Sequence, residues 1–176
     1  MSVGVVVDSV GCVPADVAEA LGIEIVPLSV AMDGKTYRDG VDLSPQDFYR
    51  RLAAGPPYPT TSAASVAEYT AAYERMADRG HDAVLSVVLS QQLSANIDAA
   101  TTAAEQVDIP VRVLDSRTAA APQGMMAVAA AKRAAGGASL DEVIARACEV
   151  ADRTSLLAII PDLMYLYRGG RLNPIQ

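Results

Sequence analysis

Short apolar runs separated by helix-like segments are the main pattern of the chain. Four such runs occupy residues 3–7, 23–26, 83–89 and 111–114. Runs this short and this apolar are typical of strands that are buried on both faces. Strands that alternate with helices predict an α/β fold, in which a parallel, Rossmann-like sheet is flanked by helices.

Turn and helix signals fill the rest of this pattern. Asp33-Gly34 predicts a hairpin over residues 28–40 that leaves the main sheet. Ser44-Pro45 is typical of a helix start, and so is Ser65 with Glu68 three residues later. Further helices are predicted over residues 14–21, 122–135 and 139–153.

A fifth apolar run, residues 156–160, predicts one more strand close to the end of the chain. A strand this apolar, with no later segment to cover it, would leave an open edge and an exposed patch. We therefore expect residues 1–154 to form an α/β domain and residues 155–176 to begin a second one, most of which is absent. Self-association through the C-terminal strand is the alternative way to cover this edge.

The loop of residues 90–94, Ser-Gln-Gln-Leu-Ser, joins the longest apolar run to an alanine-rich helix. In open α/β sheets, ligands bind at the carboxyl ends of the strands. A helix N-terminus also offers unpaired N–H groups to an anion. Two hydroxyls and two amides without a charge predict a site for a small anionic or polar head group. The alternative is that Ser94 is only the N-cap of the helix.

Other polar side chains follow apolar runs or precede helices. The proline-rich segment 55–59 predicts a stiff loop that leads into three consecutive hydroxyls at residues 60–62, which makes this loop a second candidate for ligand binding. Asp8-Ser9 and Asp115-Ser116 end two apolar runs in the same way. We expect both aspartates to anchor loop amides.

Composition and charge narrow the possible functions. The chain has 176 residues, enough for an ordinary domain with a real core, and a net charge of −7 at pH 7. This acidity argues against a nucleic-acid partner, and no apolar stretch predicts a transmembrane segment. Cys12 and Cys148 lie far apart and there is one histidine, so reduced thiols are expected and a metal site is not. A cytoplasmic location is the resulting expectation.

Seven short motifs follow one another along nearly the whole chain. They are Val5-Val6-Val7-Asp8-Ser9, Ile25-Val26-Pro27-Leu28, Asp33-Gly34-Lys35-Thr36-Tyr37, Thr60-Thr61-Ser62, Ser90-Gln91-Gln92-Leu93-Ser94, Leu114-Asp115-Ser116 and Tyr165-Leu166-Tyr167-Arg168-Gly169-Gly170-Arg171. Together they resemble the DegV family of bacterial fatty-acid-binding proteins. Each motif alone is weak, but their joint occurrence in this order is specific.

The resemblance implies a two-domain α/β protein that holds a long-chain fatty acid between its domains, with the acyl chain in an apolar tunnel and no cofactor. Hydroxyls of the Thr-Ser segment and of the Ser-x-x-Leu-Ser loop would hold the carboxylate. Some members deliver the fatty acid to a separate ATP-dependent kinase, so a fatty acid kinase is the implied partner. The implied ligand-binding residues of this chain are Thr61, Ser62, Ser94, Ser90, Ser116 and Arg171.

The chain departs from the family pattern at two points. Family members usually continue the central loop as Ser-Gly-Thr, whereas this chain has Ser94-Ala95-Asn96. Loss of the glycine restricts the backbone, and asparagine replaces a hydroxyl. Family members are also considerably longer, so we expect part of the acyl tunnel to be absent from this chain.

Two other functions are alternatives to a fatty-acid carrier. A hydrolase or phosphotransferase would use Asp8 or Asp115 on the same loops as its nucleophile or base. The absence of a nearby histidine, of a Gly-x-Ser-x-Gly elbow and of a Walker lysine loop argues against an enzyme. A scaffold that binds only protein is the third hypothesis, and its motive is the exposed C-terminal strand.

Overall fold

A parallel four-stranded sheet forms the centre of the chain, which a computed structural model describes over residues 2–172. The strands are β1 (Val3–Asp8), β2 (Glu24–Val26), β3 (Ser29–Met32), β4 (Lys35–Arg38), β5 (Thr60–Ser62), β6 (Ala83–Val88) and β7 (Val111–Asp115). The order in the central sheet is β2-β1-β6-β7, and every pairing within it is parallel. A second, antiparallel sheet has the order β4-β3-β5.

Helices cover both faces of the parallel sheet, as the alternation of strands and helices predicts. The helices are α1 (Ala15–Leu21), α2 (Pro45–Ala53), α3 (Val66–Asp78), α4 (Asn96–Ala104), α5 (Ala120–Ala135), α6 (Leu140–Asp152) and α7 (Met164–Arg168). On one face of the sheet α3 and α4 pack around the buried side chains of Tyr69, Tyr73 and Met76. On the other face α5 and α6 pack around Met126 and Val143.

The local signals that predict helix starts and the hairpin are confirmed. Ser65 with Glu68, and Ser139 with Glu142, form complete capping boxes at the starts of α3 and α6. Asp33 and Gly34 both have positive φ angles in the turn between β3 and β4. These features need only a few neighbouring residues, which is why the sequence is sufficient to place them.

The segment 60–62 is a strand, and the prediction of a loop there is wrong. Thr61 lies opposite Val30 in an antiparallel pairing between β5 and β3. All three residues of β5 are exposed, so the strand carries no hydrophobic alternation that the sequence could show. Backbone groups of β3 form this pairing, so the Thr and Ser hydroxyls lie on a paired strand and not on a loop.

The predicted fifth strand over residues 156–160 is also wrong. Residues 154–160 lie outside any helix or strand, and Leu157 and Ile159 are almost fully exposed. The C-terminal strand through which self-association is predicted is therefore not present within residues 2–172, although its apolar residues remain exposed. The chain continues into α7, where the ring of Tyr165 contacts that of Tyr58 edge to face at 5.1 Å between centroids.

Within residues 2–172, none of the helices has the length and apolar character that crossing a membrane requires.

Candidate functional site

Asp8 is the buried centre of the carboxyl edge of the parallel sheet. The residue is only 1% exposed, and its carboxylate accepts hydrogen bonds from Leu89 N–H at 2.7 Å and from Val10 N–H at 3.2 Å. Burial raises the pKa of Asp8 above its ordinary value, and the hydrogen bonds from Leu89 and its other neighbours partly offset this. The expectation that Asp8 anchors loop amides is confirmed.

Asn96 joins Asp8 to the hydroxyl-bearing segment. Its side chain is fully buried, with Nδ2 donating to Asp8 Oδ2 at 3.2 Å and Oδ1 accepting from Ala64 N–H at 3.0 Å. Ala64 follows Ser62 by two residues, and Asn96 follows Ser94 by two. One carboxamide therefore connects the end of β1, the start of α4 and the chain that leaves β5. Sequence reasoning treats Asn96 only as a lost hydroxyl, because its partners are distant in the chain.

Ser94 lies beside the start of α4 but is not its N-cap. Ala95 occupies the cap position at φ −82°, which any residue can adopt, so the family glycine is not required at this position. The Ser94 hydroxyl oxygen accepts from Asn96 N–H at 3.3 Å, and the Ser90 oxygen accepts from Gln92 N–H at 3.3 Å. In each case the oxygen serves as the acceptor, so the O–H can still donate to a ligand.

Ser116 and Asp115 organise the neighbouring loop after β7. The Ser116 hydroxyl donates to Thr118 C=O at 3.1 Å, so its proton is already engaged. The Asp115 carboxylate accepts from Arg117 N–H at 2.8 Å and from Gln91 N–H at 3.3 Å. Asp115 thus holds the β7 loop against the β6 loop, and the expectation that it anchors loop amides is confirmed.

Arg171 reaches the same edge from the far end of the chain. Its Nε donates to the carbonyl oxygen of Leu93 at 3.3 Å, on the loop that carries Ser90 and Ser94. Thr61 and Ser62 are exposed on β5 and connect to this edge through Ala64. Thr61 belongs to the antiparallel sheet, whereas Ser94 follows a strand of the parallel sheet, so the two hydroxyls do not lie at the ends of neighbouring parallel strands.

A cavity of about 610 Å³ opens beside the hydroxyls. Its lining combines polar and charged residues, among them Ser90, Ser116, Arg117 and Asp152, with the apolar side chains of Leu93, Met126 and Leu156. A slightly larger cavity of about 690 Å³ lies elsewhere, between the turn after β1 and the outer faces of α5 and α6. The residues lining that second cavity include none of the predicted site hydroxyls.

Within the described residues 2–172, no metal-ligand cluster occurs at this edge, and the histidine lies elsewhere. Across the part of the chain that the structure describes, no three His, Cys, Asp or Glu side chains are placed to hold a metal ion. The single histidine, His81, bonds Ser2 Oγ through Nδ1 at 2.8 Å, beside the amino end of β1. It therefore lies at the opposite end of the strand from Asp8.

Known proteins share this architecture. The profile of the family described as uncharacterised protein, DegV family, matches residues 2–176. The DegV domain-containing protein lmo2514 of Listeria monocytogenes is 37% identical over 175 residues, which are 99% of this chain and 62% of the relative. The structure of DegV from Bacillus subtilis, described as a fatty acid binding protein, matches with a TM-score of 0.87 and 31% identity over 97% of this chain and 61% of that one.

A stearic-acid-binding protein from Eubacterium ventriosum has a similar structure. It matches with a TM-score of 0.74 and 26% identity, over 82% of this chain and 51% of that one. The chain therefore spans less than two thirds of the length of these proteins.

Proposed function

The chain belongs to the DegV family, and on that premise we propose that it binds a long-chain fatty acid at the carboxyl edge of its parallel sheet. The observation that carries the proposal is the arrangement of hydroxyls around the Asp8–Asn96 pair. Ser90 and Ser94 have O–H groups available for an acceptor, and Thr61 is linked to them through Ala64 and Asn96. The edge offers hydrogen-bond donors in a place where the buried carboxylate of Asp8 is already satisfied.

The head group of a fatty acid suits such donors. A carboxylate accepts several hydrogen bonds, and bonds to a charged group contribute about 1.5–3 kcal/mol each. The N-terminus of α4, beside Ser94, adds the positive end of a helix dipole. Arg171 adds a cation that its bond to Leu93 C=O holds at the loop. In this proposal Ser62 is a further donor, and Ser116 shapes the loop while its own proton is engaged.

The apolar tail needs a surface that excludes water. The cavity of about 610 Å³ next to Ser90 offers Leu93, Met126 and Leu156 for this purpose. Each buried methylene contributes about 0.8 kcal/mol, so the tail supplies most of the affinity and the hydroxyls fix its orientation. We propose that the tail begins in this cavity.

The role we propose is that of a carrier. The donors hold a carboxylate at a solvent-facing edge, where a separate fatty acid kinase could reach it, and the two aspartates at this edge, Asp8 and Asp115, are engaged with loop amides. Two free thiols, Cys12 and Cys148, fit the reducing cytoplasm as the compartment.

An enzyme that uses Asp8 or Asp115 is the second candidate function. The observation that favours an enzyme is that burial raises the pKa of Asp8, as it does in many catalytic carboxyls. Against it, both aspartates accept loop amide hydrogens and His81 is at the other end of the sheet. Turnover of acyl or phosphate esters that disappears in Asp8→Asn would favour the enzyme.

Removing one donor from the proposed head-group site tests the carrier directly. We expect Ser94→Ala and Thr61→Val each to weaken palmitate binding roughly ten- to a hundredfold, because each leaves a charged oxygen short of a donor. Fluorescence displacement or calorimetry gives the Kd, and thermal unfolding gives the stability of the same samples.

Ser139→Ala is the matched control, since Ser139 caps α6 in a capping box. It should cost about 1 kcal/mol of stability and leave the Kd unchanged. Equal palmitate affinity in wild type, Ser94→Ala and Thr61→Val would show that these hydroxyls do not hold the carboxylate.

A further inference from the structure

We infer that Asn96 is a positioning residue, whose buried carboxamide sets the spacing between the Thr61–Ser62 strand and the Ser90–Ser94 loop and thereby forms the carboxylate site. This inference rests on the proposed fatty-acid binding. It assigns to Asn96 a role that acts through Ala64 and Asp8, without contact between Asn96 and the ligand.

The orientation of the Asn96 carboxamide is fixed by its partners. Ala64 N–H can only donate, so it must face Oδ1, and the distance is 3.0 Å. Nδ2 is then directed at Asp8 Oδ2, 3.2 Å away. Both bonds are buried, and Ala64 is itself only 2% exposed. If the buried carboxamide lost either partner, the free-energy cost of removing it from water would no longer be offset by that hydrogen bond. Both contacts are therefore needed to keep the side chain in this position.

The segment that Asn96 holds meets the parallel sheet at Ala64, which also packs in the hydrophobic core between the sheet and α3. The strand β5 pairs with β3 in the antiparallel sheet, and the two sheets share no strand pairing among residues 2–172. The residues of β5 are themselves exposed, so core packing acts on Ala64 and not directly on the residues that carry the hydroxyls. A hydrogen bond to Ala64, two residues after Ser62, is therefore well placed to hold the hydroxyls at a set distance from Ser94.

Opposite Ala64, the Asn96 side chain is hydrogen-bonded to Asp8, which is itself held by backbone amides. Asp8 is held by the amides of Leu89 and Val10, at the ends of two central strands. Asn96 N–H also donates to Ser94 Oγ, so the same residue orients the hydroxyl that would contact the ligand. Both proposed donors are thus held in position relative to the same residue, Asp8, at the edge of the sheet.

Asn96→Leu tests this role, because leucine has a similar size and can make neither bond. We expect palmitate binding to weaken by roughly tenfold or more, since a binding group displaced by about 1 Å loses its geometry. Tyr73→Phe is the control: it removes buried hydrogen bonds to Ser86 Oγ in β6 and Ala100 C=O in α4, and neither partner belongs to the two hydroxyl-bearing segments. Its melting temperature should fall while the Kd for palmitate stays within twofold of wild type.

A double-variant comparison separates positioning from a general loss of stability. If Asn96 aligns the two donors, Thr61→Val should weaken binding strongly in wild type but less than about twofold in the Asn96→Leu background. Equal effects of Thr61→Val in both backgrounds would overturn the inference, as would palmitate binding by folded Asn96→Leu within twofold of wild type. If Asn96→Leu does not fold, the same comparisons are made in Asn96→Ala, which removes both bonds without adding bulk.

Amide exchange gives a readout that needs no ligand. The Ala64 amide should be protected from hydrogen exchange in wild type and in Tyr73→Phe, and it should lose protection selectively in Asn96→Leu. A wild type that takes up no palmitate would refute the proposed function, and loss of protection at Ala64 would still confirm the structural tie. Unchanged protection of Ala64 in folded Asn96→Leu would refute the inference itself.

Discussion

Asp8→Ala is expected to lower the free energy of unfolding by about 2–6 kcal/mol, because it leaves the buried donors of Leu89 N–H and Asn96 Nδ2 without an acceptor. Losses of about 1–3 kcal/mol for each orphaned donor are a large share of the 5–15 kcal/mol that stabilises a typical domain. Denaturant unfolding monitored by circular dichroism measures the change. The melting temperature should fall by at least roughly 5 °C.

Asp115→Ala is the matched control for this prediction. Asp115 also ends a strand and also accepts two amide hydrogens, from Arg117 and Gln91, but both of those hydrogen bonds are exposed. Water can replace the lost acceptor there, so the free energy of unfolding should fall by no more than about 1 kcal/mol. If Asp8→Ala were as stable as wild type, Asp8 would not be an anchor, and a chemical role for it would gain support.

Gly124→Ala is expected to destabilise the chain by about 3 kcal/mol, because there is no room for a methyl group at this position. A Cβ on Gly124 would lie 2.1 Å from the carbonyl oxygen of Gly11, and 3.2 Å from a methyl of Val13. The obstacle is backbone, which cannot rotate aside as a side chain can. The helix α5 would have to move away from the turn that follows β1, next to Asp8.

Gly136→Ala provides the comparison, since it makes the same substitution near the end of the same helix. Gly136 has φ −80°, is exposed, and would bring its Cβ to 3.3 Å from Arg133 C=O. The free energy of unfolding of Gly136→Ala should stay within about 0.5 kcal/mol of wild type. A melting temperature for Gly124→Ala equal to that of Gly136→Ala would mean that α5 and the turn do not approach as closely as described.

The parts of the fold that follow from local pattern are predictable from the sequence. The buried strands β1 and β6 and the half-buried edge strand β7 correspond to apolar runs, and the starts of α3 and α6 correspond to Ser-x-x-Glu signals. Each of these depends on neighbouring residues or on a uniform apolar environment.

The parts that fail depend on distant partners. The run at 156–160 is as apolar as a buried strand, but no strand pairs with it within the described residues. Conversely, β5 has three exposed polar residues and is a strand only because β3 supplies its hydrogen bonds. Hydrophobicity alone therefore predicts a strand at residues 156–160, where there is none, and misses the strand at residues 60–62.

The candidate site shows the same division. The hydroxyl-bearing loops and both aspartates are visible in the sequence, because they follow apolar runs at the edge where ligands bind. The role of Asn96 is not visible, since its two side-chain partners are 88 and 32 residues away. The lack of space at Gly124 is equally a property of the contact between α5 and the turn at Gly11.

Ligand uptake measured by native mass spectrometry tests the central claim most directly. The purified chain, stripped of lipid and then mixed with palmitate, should gain the mass of one fatty acid, and methyl palmitate should bind much more weakly because its ester carries no charge for the hydroxyls to bind. The double variant Ser94→Ala with Thr61→Val should lose most of this uptake. A folded protein that carries no fatty acid when purified and takes up none, or that binds palmitate and its methyl ester equally, would contradict the proposed carboxylate site.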